Sequence, residues 1–219
     1  MINKGNIDKV VGIVKESVKK YDMPVLERFN DSKKDPYWVL IPCILSLRAK
    51  DEATAVVSEN LYKIAPTPEK VLKIPLKKME QIVYKTGFYH VKAKNVLNIT
   101  RIILEKYKGK VPDDIDELLT IPGVGRKTAN LVVTVAFKKP GICVDTHVHK
   151  ICNRWGYVDT KDADHTEMRL REILPKKHWM KINLYLVLFG QNVCLSVSPL
   201  CSECPLGKLC PRIGVTVSR

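Results

Sequence analysis

The chain has 219 residues, 45% of them hydrophobic and 27% charged, which is enough apolar material for one core or two small ones and excludes wholesale disorder. Lys and Arg outnumber Asp and Glu by 37 to 23, a net charge of +14, which favours a polyanionic partner, nucleic acid above all, but says nothing of fold. No apolar run approaches the ~20 residues of a membrane span, and Met1-Ile2-Asn3-Lys4-Gly5 lacks the apolar region of a secretory signal, so a cytoplasmic protein without membrane attachment is expected.

In chain order, Ile7, Val10, Val11, Val14 and Val18 form one apolar stripe, which predicts an amphipathic helix over 6–21. Residues 37–48 are apolar nearly all round and predict a buried helix, bent or begun anew near Pro42. Asp51 can cap a helix running to about Tyr62. Shorter helices fit 68–73 and 77–85, and a longer one fits 90–107. Two short helices, Asp113–Leu119 and Gly125–Lys138, are separated only by Thr120-Ile121-Pro122-Gly123-Val124, and helices at 145–155, 163–174 and 178–192 follow. Strand alternation is all but missing, so the fold class is all-α.

Seven cysteines without a secretion signal are poor candidates for disulfides. Cys43, Cys143 and Cys152 stand in apolar stretches as small hydrophobes, whereas Cys194, Cys201, Cys204 and Cys210 fall within seventeen residues and ask for a metal. Four thiolates with no histidine suit an iron–sulfur cluster or tetrahedral zinc about equally.

The segment 113–138 concentrates the remaining signals. Asp113 or Asp114 can cap its first helix, and Pro122-Gly123-Val124-Gly125 makes a tight reversal in which two glycines permit close backbone approach. The second helix starts at once, so its first N–H groups form a site for a phosphate oxygen. This is either a plain helix–turn–helix corner or, given the basic chain and Arg126-Lys127, a helix-hairpin-helix clamp that holds the DNA backbone without reading bases. Ala129, Val132, Val133 and Ala136 share the buried face, with Lys127, Asn130 and Thr134 on the other side. Lys127 lies in the first turn, where the helix dipole disfavours its charge; a partly neutral lysine can serve as an amine nucleophile and form a Schiff base. Asp145, delivered by the apolar Ile142-Cys143-Val144, reads first as an N-cap.

LTIPGVGRKTAN, followed eighteen residues beyond the lysine by VDTHVHKICNR, closely resembles the signature of the endonuclease III family of helix-hairpin-helix DNA glycosylases, and the resemblance extends over nearly the whole chain. It implies two helical domains flanking a DNA-binding cleft: a six-helix barrel at 29–139 with the helix-hairpin-helix at 113–138, and an iron–sulfur cluster domain from 1–28 and 140–219. It implies that Lys127 attacks C1′ of a damaged nucleotide, that Asp145 assists, and that β-elimination then cleaves the strand. Cys194, Cys201, Cys204 and Cys210 match the family's [4Fe–4S] spacing, and the hairpin decides for iron–sulfur over zinc. Gly123, Gly125 and Arg126 are expected to meet DNA.

The implied substrates are oxidised or ring-saturated pyrimidines and abasic sites in double-stranded DNA, acted on by a monomer. Monofunctional relatives lack the lysine. Phe88 of Gly87-Phe88-Tyr89 matches the family's wedge, or else is an ordinary core aromatic. Arg48 stands where Leu-Ser-x-Gln has glutamine, and could bond the base opposite the lesion, favouring guanine through O6 and N7, or grip a phosphate. His147 matches a family residue near the lesion pocket or is a structural residue at a helix start. The uncharged Leu195–Leu200 loop departs from the family's basic one, and Lys208 and Arg212 are possible replacements. The rival readings are a glycosylase directed to thymine or uracil opposite guanine, and a non-catalytic DNA-binding module with structural zinc.

Overall fold

The computed structural model describes residues 2–23 and 35–219. Among these residues it is all helical, with eleven α-helices and two single 3-10 turns, and no described helix is long and apolar enough to cross a membrane. The chain separates into two compact units, Met23–Lys139 and the combination of Met1–Asp22 with Pro140–Arg219. The boundary expected at 28/29 lies outside the described residues.

The N-terminal helix α1 (Ile7–Val18) belongs to the second unit, and the core of the first is built around α2 (Pro36–Ser46). The Asp35 carboxylate accepts from the Tyr37 amide and Pro36 fills the first helical position, where its missing N–H costs nothing. The helix runs on through Pro42 rather than starting afresh, and every residue from Tyr37 to Leu45 is buried. Around it lie α3 (Asp51–Ile64), α4 (Pro68–Leu72), α5 (Leu76–Val83), α6 (Tyr89–Glu105), α7 (Ile115–Leu119) and α8 (Arg126–Val135). Lys50 stands at the cap position of α3, so Asp51 and Glu52 act instead as acidic residues in its positive first turn. The polar edges of buried aromatics are all engaged: Trp38 Nε1 donates to Pro66 O, and Tyr37 Oη pairs with Thr100 Oγ1 at 2.7 Å. Burial holds the Tyr37 phenol above its ordinary range.

The second unit packs α1, with its predicted valine and isoleucine stripe fully buried, onto α11 (Lys176–Asn192). Also against α11 lies α9 (Thr146–Arg154), which in turn meets α10 (Ala163–Ile173). Trp155, Phe189 and Leu170 are central to this core. Asp8 joins the distant ends of the sequence, accepting from Lys177 Nζ at 2.6 Å and pairing with His178 Nε2 at 2.7 Å. The Lys177 hydrogen bond, then that of His178, holds the Asp8 carboxyl below the usual range.

Candidate active site and cysteine cluster

The hairpin is built as its residues dictate. Asp114, not Asp113, caps α7, its Oδ1 accepting from the amides of Asp116 and Glu117. Asp113 instead forms an exposed ion pair with Lys139. Leu118, Ile121 and Val124 bury the inner side of the turn. Gly123 sits at φ +91°, where a Cβ would lie 3.3 Å from Asn95 Nδ2, so both conformation and space demand glycine there. Gly125 is different: at φ −92° with nothing within 4 Å of a Cβ, it caps α8 without needing its small size for packing.

No side chain caps α8, which leaves that role to whatever approaches its positive end. Ala129, Val132 and Val133 are buried. Asn130 and Thr134, expected on the outer face, are buried too, because each turns its polar group back on the helix: Asn130 Nδ2 donates to Arg126 O and Thr134 Oγ1 to Asn130 O. Lys127 alone of those three is exposed. Arg126 is half-buried beside it.

Asp145 belongs to the other unit. It caps α9, with Oδ1 accepting from the amides of His147 and Val148 at 2.9 Å each. Both cap bonds fall on one oxygen, so Oδ2 lies outside the cap. His147 packs on α11 at Gly190, where a Cβ would come within 2.9 Å of His147 Cγ and closer still to Nδ1. Gly190 therefore makes room for the imidazole, a requirement with no local signature in the sequence.

Arg48 and Phe88 come together. The two follow the ends of α2 and of the 3-10 turn Tyr84–Thr86 and lie 5.7 Å apart, guanidinium carbon to ring centroid. Phe88 is 62% exposed, so it is no core aromatic. Both hold left-handed backbones, φ +54° and +49°, which are uncommon for such side chains.

The segments that carry them are joined by a residue the sequence reading missed. Lys92, only 4% exposed, donates from Nζ to Leu45 O and Thr86 O at 2.7 Å each. Burial lowers its pKa to about 8. A signal was available: Lys92 occupies the same helical stripe as Val96, Ile99 and Ile103, all buried.

The four late cysteines line one pocket together with Arg154, Trp155, Phe189 and Arg212. Among the described residues no three His, Cys, Asp or Glu side chains close into a site for a single metal ion. The thiols of Cys204 and Cys210 are pushed up, by burial first and then by the neighbouring cysteines of the group. Arg154 reaches the same place from α9, its guanidinium donating to Cys194 Sγ at 3.3 Å, Leu195 O at 2.7 Å and Ser196 O at 2.9 Å. Lys150 Nζ bonds Ser196 Oγ at 3.0 Å. The uncharged loop thus receives its cations from α9. A thiol-only donor set with a cation over one sulfur fits a thiolate-bound cluster.

Residues 41–176 match the family model of the HhH-GPD superfamily base excision DNA repair protein. The chain belongs to that family. Its endonuclease III branch supplies relatives: the chain is 44% identical to endonuclease III of Thermotoga maritima over 188 residues, 85% of this chain and 88% of the relative. Two solved structures, a non-covalent endonuclease III–DNA complex and a trapped endonuclease III–DNA covalent intermediate with an estranged adenine, each superpose with a TM-score of 0.87 at 33% identity, covering 97% of both chains. Family membership makes this chain an enzyme of base excision repair, a DNA glycosylase/AP lyase.

Proposed function

We propose that the chain acts on double-stranded DNA, removing oxidised or ring-saturated pyrimidines and cleaving abasic sites, with Lys127 as nucleophile and Asp145 assisting. The observation that carries this reading is the exposed Lys127 in the first turn of α8, directly after the glycine turn of the hairpin. A trapped covalent intermediate among the similar solved structures supports the same chemistry.

The neutral amine of Lys127 attacks C1′ and the C1′–base bond breaks, its electron pair leaving with the base. Loss of the amine proton and opening of the sugar give an imine between Nζ and C1′, whose electron withdrawal acidifies C2′–H. Removal of that proton expels the 3′ phosphate by β-elimination, and water then hydrolyses the imine to free the lysine. Oδ2 of Asp145, outside the cap, is the oxygen suited to stabilise positive charge on the sugar or to handle protons. Hairpin amides, Gly123, Gly125 and Arg126 hold the phosphate backbone, and the +14 charge of the chain favours the encounter. Phe88 fills the space left by the extruded base and Arg48 bonds the base opposite, guanine best. His147 borders the lesion-binding end of α9.

Cys194, Cys201, Cys204 and Cys210 would hold a [4Fe–4S] cluster, which when bound supplies a structural tie for a segment poor in core residues. The deciding experiment is borohydride trapping on duplexes carrying thymine glycol, 5-hydroxycytosine, uracil, thymine or an abasic site opposite each base. Trapping with wild type and its loss in Lys127→Ala is expected; trapping unchanged in Lys127→Ala sinks the Schiff-base assignment, and activity confined to uracil or thymine opposite guanine replaces the substrate class.

A further inference from the structure

The Lys92 ammonium is buried, and its two known acceptors are main-chain carbonyls on the two separate segments that lead into the exposed Arg48–Phe88 pair. Leu45 O lies three residues before Arg48, at the end of α2, and Thr86 O lies two residues before Phe88. One side chain therefore ties together the two places where the backbone enters a left-handed conformation. Such conformations persist only when their surroundings over-determine them. The 2.7 Å bonds of Lys92 are constraints placed beside both.

A lysine is a poor choice for packing alone. The stripe it shares with Val96, Ile99 and Ile103 would accept methionine or leucine of similar length without desolvating a charge. Apolar replacements, however, cannot bond two carbonyls. What the lysine adds is a fixed separation between Leu45 and Thr86.

We infer that Lys92 is a positioning residue that presents Arg48 and Phe88 to the orphaned base and the emptied stack as one stacked unit. The inference rests on the reading above that this pair meets DNA. It predicts that weakening the tie loosens both segments together and blurs discrimination between opposite bases, because misplacement by an ångström is enough to lose a contact geometry.

The test compares wild type with Lys92→Met in the full chain. Amide hydrogen exchange, read without DNA, is expected to speed up about fivefold or more at both 46–49 and 86–89 while α8 is unchanged. On abasic duplexes, the rate ratio between opposite guanine and the other bases is expected to fall, with the loss in KM rather than kcat. In an Arg48→Ala background the same substitution should reduce discrimination no further. Exchange that is unchanged, or raised evenly through the unit, overturns the inference, as does a loss that adds fully to that of Arg48→Ala. If Lys92→Met does not fold, Lys92→Gln, which keeps one donor group, carries the same comparison with a smaller expected effect. Failure of wild type to be trapped on damaged DNA would instead strike the functional reading, and the exchange data would still decide whether Lys92 ties the two segments.

Discussion

Arg48 lies over the ring of Phe88 at 5.7 Å, and the two residues are the exposed tips of separate segments held in left-handed backbone. A guanidinium stacked on an aromatic face is oriented while its edge donors remain available. That is the arrangement needed to bond the O6 and N7 acceptors of guanine. Arg48→Gln should therefore leave the unfolding midpoint almost unchanged, as for other exposed positions. It should lower the preference for opposite guanine by about 1–3 kcal/mol, read as a ratio of single-turnover rates across opposite bases. A preference that survives the substitution would assign Arg48 to the phosphates.

The two hairpin glycines differ in what they demand. Gly123→Ala places a Cβ in a left-handed region and against Asn95 and Ile99. The expected loss is about 1–3 kcal/mol in denaturant unfolding. Gly125→Ala meets open space at an ordinary φ and should cost less, about 0.5–1 kcal/mol, for the loss of a favoured cap residue. If the two cost the same, the turn does not use Gly123 as described.

Gly190 and His147 form a matched pair. A side chain at 190 collides with the imidazole, so Gly190→Ala should destabilise by about 1–3 kcal/mol through overpacking. Truncating the partner should return most of it: the double variant with His147→Ala is expected to be less destabilised than the sum of the single ones. Strict additivity in thermal unfolding would show that the two residues do not share this space.

Most helices were legible because their determinants are local: the valine stripe of α1, the apolar run of α2, an aspartate at 113 or 114 to cap α7, and Asp145 to cap α9. Lys127 was legible for the same reason, since a glycine turn fixes where α8 begins. The misreadings involve groups whose partners the sequence separates or conceals. Periodicity puts Asn130 and Thr134 on an outer face, because their retreat onto helix carbonyls leaves no trace in it. The acceptors of Lys92 lie 47 and 6 residues away. Arg154 looks like one more basic residue until its contacts with Cys194, Leu195 and Ser196, some forty positions downstream, are in view.

Arg154 should accordingly govern how well the cysteine pocket keeps the cluster proposed for it. Arg154→Met removes the bonds to Cys194 Sγ and to the following carbonyls while keeping an apolar stem in the pocket wall. Loss of an outer partner of this kind typically weakens metal retention by about 10–100-fold. Iron content and visible absorbance of the purified protein should fall, and the remaining iron should leave faster to a chelator. Iron retained at wild-type level and rate would reduce Arg154 to a loop brace.

Lys92 gives a pH dependence with a defined sign. Burial lowers its folded-state pKa to about 8 from an ordinary 10.5, so the folded state disfavours the charge. Between those values the unfolded chain binds more protons, and stability contributed at this position must rise with pH. The full cost is present below about pH 8 and is relieved as pH approaches 10.5. Buried Cys152 and Tyr157, each pushed up to about 12, act in the opposite direction as the unfolded chain ionises. Subtracting Lys92→Met removes those shared contributions. Wild type should gain on the variant by on the order of 1–2 kcal/mol from pH 8 to 10.5, discounted from the full shift because two carbonyls stabilise the ammonium. Urea unfolding at closely spaced pH values measures this directly. A difference that is flat or falls over that range would mean that Lys92 keeps its proton in the fold, and that its tie between the Arg48 and Phe88 segments is ionic throughout the working range.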